Sequence, residues 1–421
     1  MSDFIEVNAD LHLHGLYSAA VSGEMVPRKI GEQAPLKGLH LVGTGDILNE
    51  RWISLLKEQL KQINDSMFEH ANGTKFVLQT EIEDNNRVHH IILFPSLSKV
   101  YEVRERMKKS CKNLDSDGRP KIWLNGEEIA EICMEAGCLL GPSHMFTPYF
   151  GIYSKYNSYK DCYGKYWEKI YFGELGLSAD TDMADRIEEL RRLTFLSNSD
   201  CHSPWPNKLG REFTRFQMKD ISFEELEKAI KRENGRKPIL NIKFDPREGK
   251  YHKTRCTGCL LFFKPEEAMQ LKWRCPVCKK TIKKGVDFRI YELSHGAETS
   301  HPEHRAKTVH IIPLSEIIAV ALGIKQPWSV KVQEQWKLFV NKFGNEITAL
   351  IDTPVEKLAE VDKKTAELVK AFREGKFSYV PGGAGVYGIP VPPGKKAETK
   401  YFEQSQKAEQ KSLGDFGSPK N

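Results

Sequence analysis

Short apolar runs alternate with amphipathic segments over about the first 238 residues of the chain. The apolar runs, each of buried-strand length, cover residues 39–42, 76–78, 88–94 and 193–196. The amphipathic segments predict helices over residues 52–71, from Asn125 to Gly137 and from Ser222 onward. Such alternation predicts a parallel α/β barrel or a layered sheet, with the functional site at the carboxyl ends of the strands.

The most regular alternation of polar and apolar residues predicts a strand at the start of the chain. In it Asp10, His12 and His14 alternate with two leucines. Successive side chains of a strand point to opposite faces, so the leucines would enter the core and the polar groups would project together. Asp200 and His202 repeat the arrangement further along the chain. A lone histidine is more often an ordinary core or surface residue, but two such elements predict a shared metal ion.

Further candidate ligands stand at the ends of other predicted strands. They are Asp46 after residues 39–42, Glu81 and Glu83 after 76–78, His89 and His90 at the start of 88–94, and His144 after the apolar residues 138–140. Because strand ends meet at one edge of a parallel barrel or sheet, we expect these side chains to gather around the two histidine elements.

The composition is typical of a globular protein without membrane segments. The 421 residues include 40% hydrophobic and 29% charged side chains, which provides enough apolar material for a core. A domain size of about 150 residues predicts two or three domains. No apolar stretch has the length of a membrane span, and the first residues do not resemble a secretory signal. These features predict a cytoplasmic protein.

Four of the nine cysteines form two Cys-x-x-Cys pairs with fifteen residues between them, namely Cys256, Cys259, Cys275 and Cys278. This spacing suits a closed tetrahedral Zn²⁺ site that serves folding rather than catalysis. The surrounding residues 241–292 carry 13 Lys and Arg against 6 Asp and Glu, whereas the whole chain has a net charge of +6. Such a basic island predicts a polyanion-binding module, with a merely solvated surface as the alternative.

Three further segments suggest contacts with nucleic acid or a partner protein. Aromatic and lysine side chains interleave over residues 147–172, the aromatic segment, which could grip single strands or flipped bases or could simply pack. Residues 353–356 predict a capping box, and the residues that follow, 358–366, resemble a helix-hairpin-helix, which binds backbone phosphates in many repair proteins. Residues 396–421 predict a disordered polar tail. A motif in this tail that resembles those of DNA sliding-clamp ligands consists of Gln410, Leu413 and Phe416.

The strand-end residues together resemble the sequence blocks of the polymerase and histidinol phosphatase (PHP) superfamily. The matching positions are His12, His14, Asp46, Glu81, His90, His144, Asp200 and His202. The resemblance implies a distorted (β/α)7 barrel with two or three metal ions and Glu81 as a bridging carboxylate. Asp46 stands where most members have histidine, and its negative charge favours a harder cation. The implied ion is Zn²⁺, with Mg²⁺ or Mn²⁺ as alternatives for catalysis.

The order of segments narrows the resemblance to the endonuclease Q family, within that superfamily. Short matches at residues 175–180, 208–212 and 382–388 support it, and the similarity extends from residue 6 to about residue 392. The implied domains are a metal-dependent nuclease barrel at 1–240, a zinc module at 241–296, a helical, helix-hairpin-helix-like DNA-binding domain at 297–395 and a tail at 396–421.

The family resemblance implies a DNA repair enzyme for double- or single-stranded DNA. It would nick on the 5′ side of deaminated bases (uracil, hypoxanthine, xanthine) and of abasic sites, with Asp200 holding a metal ion. Arg211 would contact a phosphate, with a structural ion pair as the equal alternative. One alternative is a PHP-type phosphatase for small phosphomonoesters, which would need neither a zinc module nor a basic island. The other is a non-catalytic DNA-binding adaptor, which would not need a full set of metal ligands.

Overall fold

The alternating pattern gives strands and helices throughout the chain, and the computed structural model describes them over residues 4–402. The strands are β1 (Ile5–Asp10), β2 (Leu41–Gly43), β3 (Lys61–Gln62), β4 (Met67–Glu69), β5 (Lys75–Val77), β6 (Gln79–Glu83), β7 (His89–Leu93), β8 (Leu139–Pro142), β9 (Phe172–Glu174), β10 (Thr194–Leu196), β11 (Phe213–Met218), β12 (Lys237–Lys243), β13 (Arg255–Cys256), β14 (Ile282–Lys283), β15 (Lys307–His310), β16 (Ser378–Val380) and β17 (Ile389–Val391). The helices are α1 (Pro27–Lys37), α2 (Glu50–Gln59), α3 (Leu97–Lys108), α4 (Gly126–Glu135), α5 (Tyr159–Tyr163), α6 (Thr181–Ala184), α7 (Phe223–Lys231), α8 (Pro265–Gln270), α9 (Val286–Leu293), α10 (Leu314–Leu322), α11 (Val330–Phe343), α12 (Val355–Ala359) and α13 (Lys363–Arg373). The clamp-like motif formed by Gln410, Leu413 and Phe416 lies outside the described residues. Within residues 4–402, every helix is too short or too polar to cross a membrane.

The largest sheet has the strand order β15-β12-β11-β1-β2-β5-β4-β3. Strands β1, β2 and β5 run parallel, whereas β11 pairs with β1 antiparallel. A separate antiparallel sheet has the order β6-β7-β8, and β9 pairs in parallel with β10. The predicted α/β class is confirmed, as are the four-cysteine cluster and the helical C-terminal region. Since hydrogen bonding divides the described strands among several sheets, the closed (β/α)7 barrel stays a prediction.

The apolar runs predicted as strands lie in β2, β5, β7 and β10, but two predicted boundaries are wrong. The strand that begins the chain ends at Asp10, so His12 and His14 lie just beyond its carboxyl end. The helix predicted over residues 52–71 ends at Gln59. It ends there because the chain turns into the β3–β4 hairpin, where Asn64 Oδ1 accepts hydrogen bonds from the backbone and hydroxyl of Ser66.

Several helices begin at a polar residue whose side chain accepts a hydrogen bond from the first turn. Asn125 and Glu128 form the predicted capping box of α4, and Ser222 Oγ accepts a hydrogen bond from the third residue of α7. The capping box predicted at Thr353 is wrong. Its hydroxyl donates instead to the carbonyl oxygen of Thr348, and α12 begins without a side-chain cap.

Two apolar clusters cover the two faces of the main sheet. Adjacent residues of β2 show the division, because Leu41 enters one cluster and Val42 the other. The aromatic segment supplies Tyr153, Tyr159 and Tyr163, all fully buried, to the larger cluster. Ordinary packing therefore explains these three side chains.

The helical C-terminal region has an apolar cluster of its own, in which α10 packs against α11 and α13. Its two helices predicted as a hairpin are α12 and α13, joined by residues 360–362. Asp362 begins α13 by accepting a hydrogen bond from the backbone N–H of Thr365, 2.7 Å away. The region is joined to the main sheet through β15, which pairs in parallel with β12.

Candidate metal centre

Strand ends bring a set of histidine and carboxylate side chains to one buried point. They are His12 and His14 after β1, Glu81 in β6, His89 in β7, His144 after β8, and Asp200 and His202 after β10. Glu81 is at the centre, since nitrogen atoms of four imidazoles lie within 3.5 Å of its carboxylate oxygens. Asp200 belongs to the same cluster, because its Oδ1 lies 3.3 Å from His14 Nε2.

This set fits divalent metal ions. Three overlapping groups each place their ligand atoms within 4.8 Å of one another, namely His12–His14–Glu81, His14–Asp200–His202 and Glu81–His89–His144. Four of the atoms, His12 Nε2, His14 Nε2, Glu81 Oε1 and Asp200 Oδ1, are buried and make no hydrogen bond within residues 4–402. Buried polar atoms normally have partners, so these converging atoms indicate a ligand. Imidazole nitrogens suit Zn²⁺ and carboxylate oxygens also suit Mg²⁺ and Mn²⁺, so the donor set accommodates more than one ion.

The charges in this cluster favour ionised carboxylates. Burial alone would raise the pKa of Asp200. The close contact with His14 and the charges of His12 and His14 outweigh burial and hold the pKa of Asp200 well below its ordinary value. Asp200 is therefore available as an anionic ligand at neutral pH.

The structure places His89, and not the predicted His90, in the cluster. His89 Nδ1 lies 3.1 Å from Glu81 Oε1, and its ring stacks on Phe150. His90 is the next residue of β7, so its side chain points to the other face of the sheet. There its nitrogens contact Tyr163 Oη and Asp84 Oδ2. The structure therefore places His90 outside this cluster, in a separate buried group with Asp84 and Cys162 whose ligand atoms lie within 4.8 Å of one another, and its assignment as a ligand stays a prediction.

Asp46 is also placed differently from the prediction. Its Oδ2 accepts hydrogen bonds from the backbone N–H of Gly15 (2.6 Å) and the hydroxyl of Ser18 (2.8 Å), and its Oδ1 lies 3.3 Å from His14 Nδ1. With both oxygens engaged in this way, Asp46 orients the ring of His14 and leaves Nε2 free to face the cluster. A carboxylate on the far nitrogen of a ligand histidine is a common arrangement at metal sites.

Glu174 plays the same part for His12 and was missed by the sequence analysis. Its two oxygens both lie 3.0 Å from His12 Nδ1. It also accepts hydrogen bonds from the backbone N–H of His144 and from Asn198 Nδ2. The only sequence signal was an acidic residue just before the matching segment 175–180, because β9 is too short to stand out as an apolar run.

Three residues of the centre have backbones in the left-handed region. The φ angles are +40° for Asp46, +27° for His144 and +46° for Asp200. Residues other than glycine rarely adopt this conformation, and each instance costs on the order of 1–3 kcal/mol. The surrounding fold maintains these three backbone conformations despite the cost. They direct the side chains of His144 and Asp200 into the cluster and that of Asp46 toward His14.

Arg211, predicted to contact a phosphate or to serve a structural ion pair, is largely buried by the surrounding protein. It is 8% exposed, and its Nε donates to the carbonyl oxygen of Ser199, 2.9 Å away. Nearby, the carboxylate of Asp10 accepts hydrogen bonds from the backbone N–H groups of Ser199 and Gly210. Burial raises the pKa of Asp10 to about 6. Together these contacts fix both ends of the loop that carries Asp200.

A cavity of about 270 Å³ opens directly onto the cluster. His89, His144, Asp200 and His202 line it. Its lining also includes aromatic and basic side chains, namely Tyr149, Phe150, Lys250, Tyr251 and Tyr387. Tyr149 and Tyr387 are about half exposed, so the cavity is open to solvent where they line it.

The four predicted cysteines also come together. All four Sγ atoms lie within 4.8 Å of one another, with Cys256 and Cys278 at 3.3 Å and Cys259 and Cys275 at 3.5 Å. Four thiols at tetrahedral spacing fit one structural metal ion. The antiparallel pairing of β13 with β14 brings together the two ends of the segment that carries these cysteines.

An α/β protein with histidine and carboxylate groups gathered at its strand ends beside an open cavity belongs to the class of metal-dependent hydrolases. Two solved structures match nearly the whole chain. The lesion-specific endonuclease Q of Pyrococcus furiosus is 47% identical, with a TM-score of 0.87 over 99% of this chain and 100% of that chain. Endonuclease Q in complex with a 27-mer duplex that carries an abasic lesion at the active site is 48% identical, with a TM-score of 0.89 over 94% of this chain and 99% of that chain. The chain belongs to the endonuclease Q family, which confirms the sequence resemblance and makes it an endonuclease.

Two proteins of uncharacterised function are further relatives. YqxK of Bacillus subtilis is 30% identical over 409 residues, which are 91% of this chain and 98% of that protein. MJ0043 of Methanocaldococcus jannaschii is 46% identical over 248 residues, which are 58% of this chain but only 31% of that longer protein. Residues 313–376 match the family described as the MJ0043 C-terminal domain, which places α10 to α13 in that domain type.

Proposed function

We propose that this protein is a DNA repair endonuclease that nicks the phosphodiester on the 5′ side of deaminated bases (uracil, hypoxanthine, xanthine) and abasic sites. The observation that carries the proposal is the shared cavity. Metal-ligand candidates line it together with three tyrosines and a lysine. A lesion nucleotide in this cavity would have its phosphate beside the metal centre and its base among aromatic rings.

The metal centre would carry out the hydrolysis. The chemistry that bound divalent ions supply is Lewis acidity, which activates water and stabilises charge on a leaving oxygen. His12, His14, Glu81, His89, His144, Asp200 and His202 would hold the ions, Zn²⁺ or alternatively Mg²⁺ or Mn²⁺. Glu81 would contribute to holding them with both of its oxygens, because His12, His89 and His144 lie near its Oε1 and His14 near its Oε2. Asp46 and Glu174 would keep the two ligand histidines in one orientation.

The cavity would read the lesion after the nucleotide has left the base stack. A base in the duplex hides its edge, and a damaged or mispaired base is the least costly to extrude. Tyr149, Tyr251 and Tyr387 offer ring faces for stacking, and Lys250 offers charge. The backbone of residues 176–178 lines the same cavity, so its N–H groups are candidates for binding the carbonyl oxygen that deamination introduces. An abasic site would enter without needing that contact.

The basic four-cysteine module would hold the rest of the DNA. Lys283 of this module lies over the ring of Tyr149, 4.2 Å from its centroid, so the basic surface reaches the edge of the cavity. A small phosphomonoester would make no use of that continuity, which favours the nuclease over the phosphatase alternative. A non-catalytic adaptor would have no need of the buried ligand atoms.

The experiment uses end-labelled duplexes with one uracil, hypoxanthine, xanthine or abasic site, and a matched undamaged duplex. Each is incubated with the purified protein and Zn²⁺, Mg²⁺ or Mn²⁺, with matching single strands in parallel. We expect one nick immediately 5′ of the lesion and none in the undamaged duplex. Cleavage of none of the lesion duplexes, or hydrolysis of p-nitrophenyl phosphate in its place, would reject the proposal.

We also propose that the tail binds a DNA sliding clamp through Gln410, Leu413 and Phe416. Leu413 and Phe416 are spaced to share one helix face, which is how an apolar pair enters a groove. We expect micromolar affinity, roughly −8 kcal/mol, in calorimetry of a peptide covering residues 407–421 with the host clamp. A peptide with both residues changed to alanine is the control, and equal heats from both peptides would contradict the proposal. We propose that the protein acts on DNA and binds the clamp in the cytoplasm. Its nine cysteines, all within the described residues, form no disulfide there and would stay reduced.

A further inference from the structure

Arg119 reaches the metal centre from a loop that no sequence motif marks. The loop joins α3 to α4 and passes over the carboxyl end of β6. Arg119 Nη1 lies 3.3 Å from Glu81 Oε2, and the side chain lines the same cavity as Asp200 and His202. Its side chain is 27% exposed, so the guanidinium faces the cavity while it contacts the central carboxylate.

The backbone around Arg119 is held on both sides. Gly118 packs so closely on Asp46 that an added Cβ would collide with the carboxylate. The backbone N–H of Arg119 donates to Asp117 Oδ1, and the N–H of Glu83 donates to the carbonyl oxygen of Pro120 at 3.0 Å. The loop that carries the guanidinium is therefore held in place by its contacts with Asp46 and Glu83.

The two arginines of the cavity each make one side-chain hydrogen bond within residues 4–402, and they differ in how far they are exposed. Arg211 is almost fully buried and uses its Nε on the carbonyl oxygen of Ser199. Arg119 makes a single side-chain hydrogen bond within residues 4–402, to Glu81, so most of its five N–H groups are free to face the cavity. Glu81 is the carboxylate that the ions would engage. Once they do so, Arg119 would have N–H groups available for the oxygens of a substrate phosphate in the cavity.

We propose that Arg119 binds the phosphate that is cleaved, and that Arg211 instead positions the loop carrying Asp200. This inference rests on the proposed nuclease function. A guanidinium matches two phosphate oxygens with parallel hydrogen bonds, which a lysine cannot reproduce. Arg119 keeps its proton throughout. It donates hydrogen bonds to non-bridging oxygens while a water molecule loses one proton to solvent and its oxygen bonds to phosphorus. The bond from phosphorus to the 3′ oxygen breaks, and that oxygen takes one proton from solvent to leave as a hydroxyl group.

The test compares Arg119→Ala and Arg119→Lys with Arg28→Ala, an exposed arginine on α1. Single-turnover cleavage of an abasic duplex should fall about 10²- to 10³-fold in Arg119→Ala, as for loss of a donor to a developing oxyanion. Cleavage by Arg119→Lys should lie between that of Arg119→Ala and the wild type, and Arg28→Ala should match the wild type. Free guanidinium ion should restore part of the rate to Arg119→Ala. Duplex affinity, measured by fluorescence anisotropy, should weaken less than tenfold, and bound metal by elemental analysis should be unchanged.

Two outcomes would overturn the assignment. One is an unchanged cleavage rate in Arg119→Ala. The other is a loss of rate that follows a loss of bound metal and is restored by added metal but not by guanidinium, which would mean that Arg119 only supports Glu81. If Arg119→Ala fails to fold, Arg119→Gln with guanidinium rescue answers the same question. Absence of cleavage by the wild-type protein would reject the proposed function itself, so the two failures are distinguishable.

Discussion

Lys37 and Glu346 form a fully buried ion pair between α1 and the helical C-terminal region, with 2.8 Å between Nζ and Oε1. Lys37 Nζ also donates to the carbonyl oxygen of Pro206, in the loop that follows His202. Glu346 accepts further hydrogen bonds from Trp336 Nε1 and the backbone N–H of Leu314. The domain matched at residues 313–376 is thereby tied to the loop that carries two metal-ligand candidates.

We expect Lys37→Met to destabilise the protein by about 3–5 kcal/mol, because it leaves the carboxylate of Glu346 buried and unpaired. The double variant with Glu346→Gln should recover part of that loss. Urea unfolding followed by fluorescence measures both. Lys29→Met is the matched control, since Lys29 pairs with Glu32 at the surface of the same helix and should matter by less than about 1 kcal/mol. Equal effects of the two lysine changes would contradict this account.

Substitution of His89 should affect metal binding, whereas substitution of His90 should affect stability. His89→Ala should lower the metal content outside the four-cysteine site and abolish nicking, because it removes an imidazole that contacts Glu81. His90→Ala should leave that metal in place and lower the melting temperature, since His90 contacts Asp84 and Tyr163 in the core. Elemental analysis and thermal melts on the two variants decide the assignment. The reverse pattern would restore His90 as the ligand.

Removing one ligand charge should stop cleavage without stopping lesion binding. We expect Asp200→Asn to lose nicking while its affinity for an abasic duplex stays close to that of the wild type, because the aromatic side chains of the cavity are untouched. His12→Ala should behave alike and lose part of the metal held by the centre. Band-shift titration beside a cleavage assay tests both variants. Full cleavage by Asp200→Asn would exclude it from the catalytic centre.

The four-cysteine site should be independent of the metal centre. Cys256→Ser together with Cys259→Ser should lose about one metal ion per chain and expose residues near 250–290 to proteolysis, since a structural metal contributes directly to folding. The remaining metal should be retained. Cys111→Ser with Cys133→Ser is the control, because neither residue belongs to the four-thiol cluster. Loss of both metal pools together would refute two separate sites.

Glu248 should make stability depend on pH. It is buried, and burial together with the nearby acids Glu316 and Asp245 raises its pKa well above the ordinary 4.5. The folded state then holds a proton that the unfolded state releases above about pH 4.5, so this group lowers stability as the pH rises toward its folded pKa. Glu248→Gln should be more stable than the wild type at pH 8 by about 1–3 kcal/mol, with the difference shrinking toward pH 4. Glu58→Gln, an exposed change on α2, should show no such trend in urea unfolding.

Sequence spacing was sufficient for the groups whose contacts are local. His12 with His14, Asp200 with His202 and the two cysteine pairs lie within a few residues of one another, so a strand end or a knuckle brings each set together. The role of Asp46 depended on where the loop with Gly15 and Ser18 lies in space, which no spacing encodes. Glu174 and Arg119 come from a three-residue strand and an irregular loop, where no periodic pattern exists to read.

The choice between the two adjacent histidines shows the limit most clearly. The run of residues 88–94 predicted β7 well, but it could not tell which face of the strand meets Glu81. That is decided by the register of β7 against β6, in which Glu83 pairs with His89 and Ile82 with His90. Register arises from the packing of the whole sheet, not from the strand itself.

The opposite faces of β7 also limit how the gene can change over evolutionary time. One face carries His89 toward Glu81 and the other carries His90 toward Tyr163 and Asp84. A codon inserted just before this pair shifts the register by one, which turns the imidazole of His89 toward Tyr163 and a different side chain toward Glu81. A change of two codons preserves which face is which. Length variation among descendants of this gene should therefore accumulate in the turn between β6 and β7 in steps of two residues.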